Sequence, residues 1–290
     1  MLYRLVAAVF AVALTAPAQS LSPEAKPRPK GQPSQEEQAA IIDDVRNYAL
    51  TYSQGLPDYI CTQVTTRYMA AAPGGQYAPL GSAPRWQLRD TLTIRLSYFE
   101  QKEDYKLMLV NNTVAQQDYG KLGGTTSAGD FGTMMRQIFE RATEAHFELR
   151  RSEKLRGRLA YVFAYQVSQA RSRWHIEYEH REDLIPAYRG LVHVDRETRQ
   201  VLRVTFQSVD IPPAYPVRHA ETTLDYDYQK RGDQKFLLPL KSEVLMAGND
   251  LLTRNDNEFR RYHKYSSESA INYDSDKPAP EVQTKDQPLK

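Results

Sequence analysis

The sequence predicts an α+β protein built on one large antiparallel β-sheet, with an N-terminal helix and one inserted helix. Three observations predict it. From Trp86 to Tyr273 apolar and polar residues alternate with a period of two, as in Leu88/Leu92/Ile94/Leu96/Tyr98 against Arg89/Thr91/Thr93/Arg95/Ser97; this is the pattern of strands with one covered and one wet face. The aromatic residues lean on 19 tyrosines against 9 phenylalanines, and tyrosine suits a half-buried pleated surface whose hydroxyl stays wet. Helical spacing occurs in only two stretches, so strand follows strand as in a meander, without βαβ crossovers.

The elements follow in order. Met1-Leu2-Tyr3-Arg4 is a short basic start, Leu5 to Leu14 an uncharged apolar run, and Ala16-Pro17-Ala18 a small-x-small cleavage site; together they predict a signal peptide over residues 1–18, removed after Ala18. The run is too short for a membrane span, which needs about 20 apolar residues, and no second run of membrane length follows. Residues 19–33, with Pro23, Pro27, Pro29 and Pro33, predict a flexible linker. Ser34 and Glu37 form a capping-box pattern, Ile41, Val45, Tyr48, Ala49 and Tyr52 recur at helical spacing, and Gly55 with Pro57 ends the helix. Asp58–Met69 reads as the first strand, and 70–84 as a Gly/Pro-rich loop.

Trp86–Phe99 and Tyr105–Val110 form a hairpin around Glu100–Asp104, and Asn111-Asn112 turns into Thr113–Gln116. Asp90 falls on the apolar face of its strand, which places it at a sheet end or in a buried pair; the sheet end is the expectation. The glycine-rich stretch 120–132 leads into a second helix, about Asp130 to Ala145, with Met134, Met135, Ile138 and Phe139 on its apolar stripe. Further strands carry Leu159/Tyr161/Phe163/Tyr165, Trp174/Ile176/Tyr178, Leu202/Val204/Phe206 and Leu224/Tyr226/Tyr228, then Phe236–Met246 and Asn255–Tyr265, with Ala270–Tyr273 closing the sheet. Residues 34–273 form the β domain with its helices, and 274–290 a disordered tail.

Chemistry is sparse. Lysine and arginine total 38 against 36 acids, so there is no electrostatic footprint for nucleic acid. Cys61 is the single cysteine, which excludes an intramolecular disulfide and predicts a packed thiol. Nucleophile-elbow, His-Glu-x-x-His and Cys-x-x-Cys patterns are absent, and the glycine-rich stretch lacks the Gly-Lys-Ser/Thr ending of a phosphate loop. His175, Glu177 and Glu179 share a strand face opposite Trp174, Ile176 and Tyr178, and Asp225 and Asp227 share one opposite Leu224 and Tyr226; both sets read as solvated surface. No catalytic residue, metal ligand or cofactor is expected.

Two stretches carry a family resemblance. They are Ala187-Tyr188-Arg189-Gly190-Leu191-Val192-His193-Val194-Asp195-Arg196-Glu197-Thr198 with Val201-Leu202-Arg203-Val204, and Leu237-Leu238-Pro239-Leu240-Lys241-Ser242-Glu243-Val244. With the order of elements over about residues 35–273, the chain resembles the outer-membrane lipoprotein carrier (LolA-like) architecture; it also resembles secreted bacterial proteins with a glycine-rich segment before the second helix. The resemblance implies a curved half-barrel sheet whose concave apolar face the two helices cover. A hydrophobic cavity would then be walled by Leu92, Ile94, Leu96, Tyr98, Met134, Met135, Ile138, Phe139, Tyr161 and Phe163. The expected protein is exported, periplasmic or secreted, non-enzymatic, and binds a lipid or a lipidated protein. The alternatives are a closed module that binds another envelope protein through its outer face or a sheet edge, and, third, an enzyme.

Overall fold

The reciprocal capping box at Ser34 and Glu37 forms, with the Glu37 amide donating to Ser34 Oγ at 3.1 Å, and it starts α1 (Gln35–Gly55). A computed structural model describes residues 32–56, 58–73, 83–100, 102–129, 131–178, 182–231 and 234–264. The signal segment, most of the linker, Asp130, Ala270–Tyr273 and the tail 274–290 lie outside the described residues. Ile41, Ile42, Val45, Ala49 and Tyr52 form the buried stripe of α1; each large aliphatic one contributes about 1.5–3 kcal/mol by leaving water. No described helix is long and apolar enough to cross a membrane.

After α1 come β1 (Tyr59–Ala71), β2 (Gln87–Phe99), β3 (Lys102–Val110) and β4 (Thr113–Val114), then α2 (Thr133–Phe139). They are followed by β5 (His146–Leu155), β6 (Arg158–Val167), β7 (Ile176–Tyr178), β8 (Glu182–Leu184), β9 (Ala187–Asp195), β10 (Val201–Val209), β11 (Val217–Arg231), β12 (Gln234–Gly248) and β13 (Leu251–Lys264). Eleven strands form one open antiparallel sheet in the order β4-β3-β2-β1-β13-β12-β11-β10-β9-β6-β5, and β7 pairs with β8 apart from it. The fold is therefore the predicted α+β class with one large antiparallel sheet and two helices.

The topology departs from a plain meander at two places. The first and last of the described strands, β1 and β13, lie side by side in the interior of the sheet. The chain then leaves one edge at β4 and re-enters at the opposite edge, β5. Ten inter-strand spacings make that crossing roughly 48 Å, and residues 115–145 make it, carrying α2. Residues of α1, α2 and the sheet share one buried cluster, so both helices lie on the same sheet face.

Several elements differ from expectation for identifiable reasons. The second helix runs only from Thr133 to Phe139: Gly132 precedes it at φ 120°, and Glu144 adopts a left-handed φ of 49° after a 3₁₀ turn. The β2–β3 turn is shorter than Glu100–Asp104 because β3 already begins at Lys102, and β4 has two residues rather than four. β5 is a strand that alternation did not reveal: Phe147, Leu149 and Leu155 pack on the core, but a bulge between Leu149 and Arg151 and the charges of Glu148, Arg150, Arg151, Glu153 and Lys154 break the pattern. Leu88 and Leu159, expected on covered faces, are 62% and 56% exposed near strand ends. Ile176 and Tyr178 belong to the separate β7–β8 pair, where Ile176 packs with Tyr215, Val217 and Ala220.

β12 carries a proline in its interior. Pro239 sits at a bulge of β12, where Asp225 pairs with Lys241 and Tyr226 with Pro239 so that Leu240 is the extra residue, and the β12–β13 ladder extends only over Lys241–Ala247. The carbonyls of Leu237 and Pro239 are taken up by the hydroxyls of Tyr52 on α1 and Tyr262 on β13, both at 2.7 Å. The sheet thus parts locally and tyrosines close the seam.

Candidate functional site

The helix-bearing face of the sheet has two unlike halves. Over β6, β9, β10 and β11 it is apolar: Phe163, Tyr165, Tyr188, Val192, Val194, Val204, Phe206 and Leu224 are buried together. Tyr188 stacks on Phe206 at 5.2 Å, and Trp174 tilts onto Phe206 at 5.7 Å. Gly190 is required here, because a Cβ would run into the Thr205 carbonyl that the Tyr165 hydroxyl binds at 2.7 Å. Burial raises the Tyr165 and Tyr188 hydroxyls above the ordinary tyrosine range.

Over β1 and β13 the same face is polar and yet buried. Gln63 Nε2 donates to Thr65 Oγ1 (3.0 Å) and Asn257 Oδ1 (3.3 Å), Thr65 donates to Asn257 Oδ1 (2.7 Å), and Asn257 Nδ2 donates to Ser242 Oγ (2.9 Å). Gln63 Oε1 is buried without a hydrogen-bond partner. Arg67, 3% exposed, grips Asp90 through two 2.6 Å contacts and donates a third hydrogen bond to the Gly123 carbonyl at 2.8 Å. Asp90 is therefore partly buried and paired rather than free at a sheet end. Its position opposite Arg67 in the β1–β2 register supplies the reason.

A strap formed by residues 115–132 covers this polar half. Leu122 packs on Leu92, Ile94 and Leu107, and Tyr119 stacks on Tyr105 at 5.7 Å. Beyond it, Asn255 Nδ2 donates to the Thr125 carbonyl (2.7 Å), and the hydroxyls of Thr125 and Thr253 lie 2.6 Å apart. The Glu103 carboxylate accepts from the amides of Gly129 and Phe131, each at 3.0 Å, and so anchors the entry to α2. No strand pairing ties the described residues between Leu122 and Phe131 to the sheet; their attachments include these side-chain bonds and one from the Gly129 amide to the Tyr105 hydroxyl at 3.2 Å.

All ten residues expected to wall a cavity lie on this face, none more than 8% exposed. They do not form one group. Leu92 and Ile94 sit beneath the start of the strap. Leu96, Tyr98, Met134, Met135, Ile138, Phe139, Tyr161 and Phe163 belong to the main core, where Tyr98 stacks on Phe131 and Phe139 on Phe147, each at 5.4 Å. A groove of about 440 Å³ lies elsewhere, at the far end of β1 and β13, lined by Met69, Ala70, Arg85 and Leu251 among others.

The charged residues also depart from the alternation. Asp225, expected on a wet face with Asp227, is 2% exposed and held by Arg156 (2.7 Å) and Arg203 (2.7 and 2.8 Å). Burial alone would raise its carboxyl, but the bonds and charges of Arg203 and Arg156 hold it below the usual carboxylate range. Asp195 is held low in the same way, by Arg158 and the amides of Thr198 and Glu197 outweighing burial. These arginines come from neighbouring turns and strands, and no local pattern announces them. His175 binds Asp183 at 2.8 Å on the surface, as a solvated face would, while Glu179 lies outside the described residues. Among the described residues no three His, Cys, Asp or Glu side chains could hold a metal ion. Cys61 is buried.

No protein-family model and no curated protein matches the sequence. Solved structures similar to the chain include a DUF1329 family protein from Desulfovibrio piger (11% identity, 80% of this chain and 97% of that one, TM-score 0.34). They also include a putative outer membrane lipoprotein-sorting protein domain from Vibrio parahaemolyticus (13%, 80% and 95%, 0.35). A third is a LolA superfamily protein from Nitrosomonas europaea (10%, 80% and 96%, 0.26).

Proposed function

We propose that the protein is an exported, non-enzymatic binder of an amphiphile, whose acyl chain enters the apolar sheet face when the strap and α2 move aside. The observation that carries this reading is the nature of the cover. The segment joining the two sheet edges carries α2 over the apolar half, yet between Leu122 and Phe131, over the polar half, its described residues are held by side-chain bonds from Arg67, Asn255, Thr125 and Glu103 and by no ladder. Exchanging such bonds for water costs about 0.5–1.5 kcal/mol net for each neutral one and about 1.5–3 kcal/mol for those of Arg67 and Glu103, less than stripping a strand from its ladder. Met134 and Met135, unbranched and adaptable, suit a surface that repacks around a chain. A lipid or the acyl group of a lipidated protein is the ligand class.

A second reading, a closed module that binds an envelope protein, draws on the full burial of the ten face residues. Its edge-pairing form is disfavoured, because β4 has two residues and β5 is studded with charge, both of which block strand addition. One experiment separates the readings. Thr125→Cys with Thr253→Cys places two thiols where hydroxyls now lie 2.6 Å apart, and Cys61 is buried out of reach. Reduced protein should take up lysophospholipid by native mass spectrometry and shift the fluorescence of Trp174; oxidised protein should do neither. Equal uptake by both forms refutes the moving strap, and no uptake in either form leaves the closed module.

A further inference from the structure

Two arginines of the β9–β10 turn converge on one tyrosine. The guanidinium carbon of Arg196 lies 4.9 Å, and that of Arg199 5.7 Å, from the ring centroid of Tyr161. Neither has a carboxylate partner among the described residues. The acids nearby are already engaged: Asp195 and Glu197 with Arg158, Asp225 with Arg156 and Arg203. Arg199 Nη1 is moreover buried with no hydrogen-bond acceptor, a condition native proteins rarely leave without a purpose.

The turn that carries this pair is stiff. Asp195 Oδ1 accepts from the amides of Glu197 (2.8 Å) and Thr198 (3.0 Å), and the Arg199 amide donates back to the Asp195 carbonyl at 3.0 Å. Thr198 Oγ1 lies 2.8 Å from the Tyr228 hydroxyl, which donates to Gln200 Oε1 at 2.7 Å. Tyr161 is the joint between this rim and the interior. It is 8% exposed, belongs to the main core, and meets Phe163 edge-on at 6.4 Å. Two uncompensated guanidinium forks on a fixed turn, beside an aromatic ring continuous with an apolar core, fit a phosphate whose attached chain runs inward.

We propose that Arg196 and Arg199 form an anion site at the rim of the core that takes the phosphate of the bound amphiphile's head group. This rests on the amphiphile reading above, and the test separates the two. Full-length protein is titrated with lysophosphatidylglycerol, with monoacylglycerol of the same chain, and with inorganic phosphate, alongside the double variant Arg196→Gln, Arg199→Gln. Wild type should bind the phospholipid at least about 10- to 100-fold more tightly than the neutral lipid, the range that a single charge-assisted contact already gives. The variant should lose that preference while keeping its affinity for monoacylglycerol, which also shows that it is folded. The variant Arg196→Lys, Arg199→Lys, with charge but no fork, should keep part of the preference. Equal binding of both lipids by wild type overturns the anion site and leaves the amphiphile reading standing. Binding of neither lipid overturns both. Phosphate binding that the Gln variant abolishes, without any lipid preference, overturns the head-group assignment in favour of a free anion.

Discussion

The two halves of the covered sheet face solve one problem in different ways. Over β6 and β9–β11 the face is aromatic and aliphatic, and α1 and α2 cover it by packing, which is non-directional and dense. Over β1 and β13 the face carries Gln63, Thr65, Arg67, Asn255 and Asn257, and a glycine-containing strap covers it by hydrogen bonds. Packing tolerates partial movement because neighbours can repack. A buried polar layer does not, since each bond that opens must find another partner or water. The polar half therefore sets whether the strap is shut, and the apolar half sets what is gained when a ligand replaces it.

The sharpest way to break this comparison is at Arg67. Arg67→Ala leaves Asp90, 12% exposed, with only Arg89 at 3.8 Å to answer it, and frees the Gly123 carbonyl. Removing one partner of a buried pair costs about 3–5 kcal/mol. Replacing both, Arg67→Leu with Asp90→Leu, should recover most of that, because no buried charge is then left alone. Urea titrations of the three proteins measure it. A double variant as unstable as the single one would mean that the strap bond, and not the ion pair, holds this half together.

The apolar half was legible in the sequence and the polar half was not, for a physical reason. Leu202, Val204 and Phe206 alternate with polar residues and are buried where alternation places them. The capping box and Gly55 likewise mark α1 because they act on their own neighbours. From Tyr59 to Arg67 on β1 the buried positions are Tyr59, Cys61, Gln63, Thr65 and Arg67, while Ile60 and Val64 are half-exposed; three of these five look like a wet face. Only partners far along the chain, Asp90, Gly123 and Asn257, make those polar groups buriable. Asp225 misled in the same way, its arginines lying 69 and 22 residues away. Arg196 and Arg199 gave no signal at all, since a polar turn is expected to be charged.

Gly124 tests whether the strap is a separate unit. Its φ of +97° suits glycine alone, and a Cβ there would press on the guanidiniums of Arg89 and Arg67. Gly124→Ala should cost about 1–3 kcal/mol, the range for a strained backbone, and the loss should be local. Hydrogen exchange should speed up at the amides of Gly129 and Phe131, which now donate to Glu103, and stay unchanged in α1. Equal acceleration in both would show that strap and helix open together.

The smallest effect belongs to the strands beneath the apolar half, on their opposite face, and depends on pH. His193 on β9 is buried, its Nε2 lying 2.9 Å from Glu153 and its Nδ1 without a partner. Burial pushes its pKa below the usual histidine value; Glu153 pulls it up, but Arg203 and Arg151 add to the lowering. The folded state thus prefers neutral His193. Its stabilising contribution is complete above the unfolded pKa of about 6.5 and is lost as the pH falls through the lower folded value. Glu153, Asp195 and Asp225 are also held low, but their windows begin below the ordinary carboxylate values, so they are silent here. Between about pH 7.5 and pH 5.5 the melting temperature should fall by roughly 1–3 °C, and His193→Gln should flatten that slope. An unchanged slope in the variant would place the acid response outside β9. Exchange at the β9 and β6 amides then shows whether the apolar half loosens while the Gln63–Asn257 layer, which contains no titrating group, stays shut.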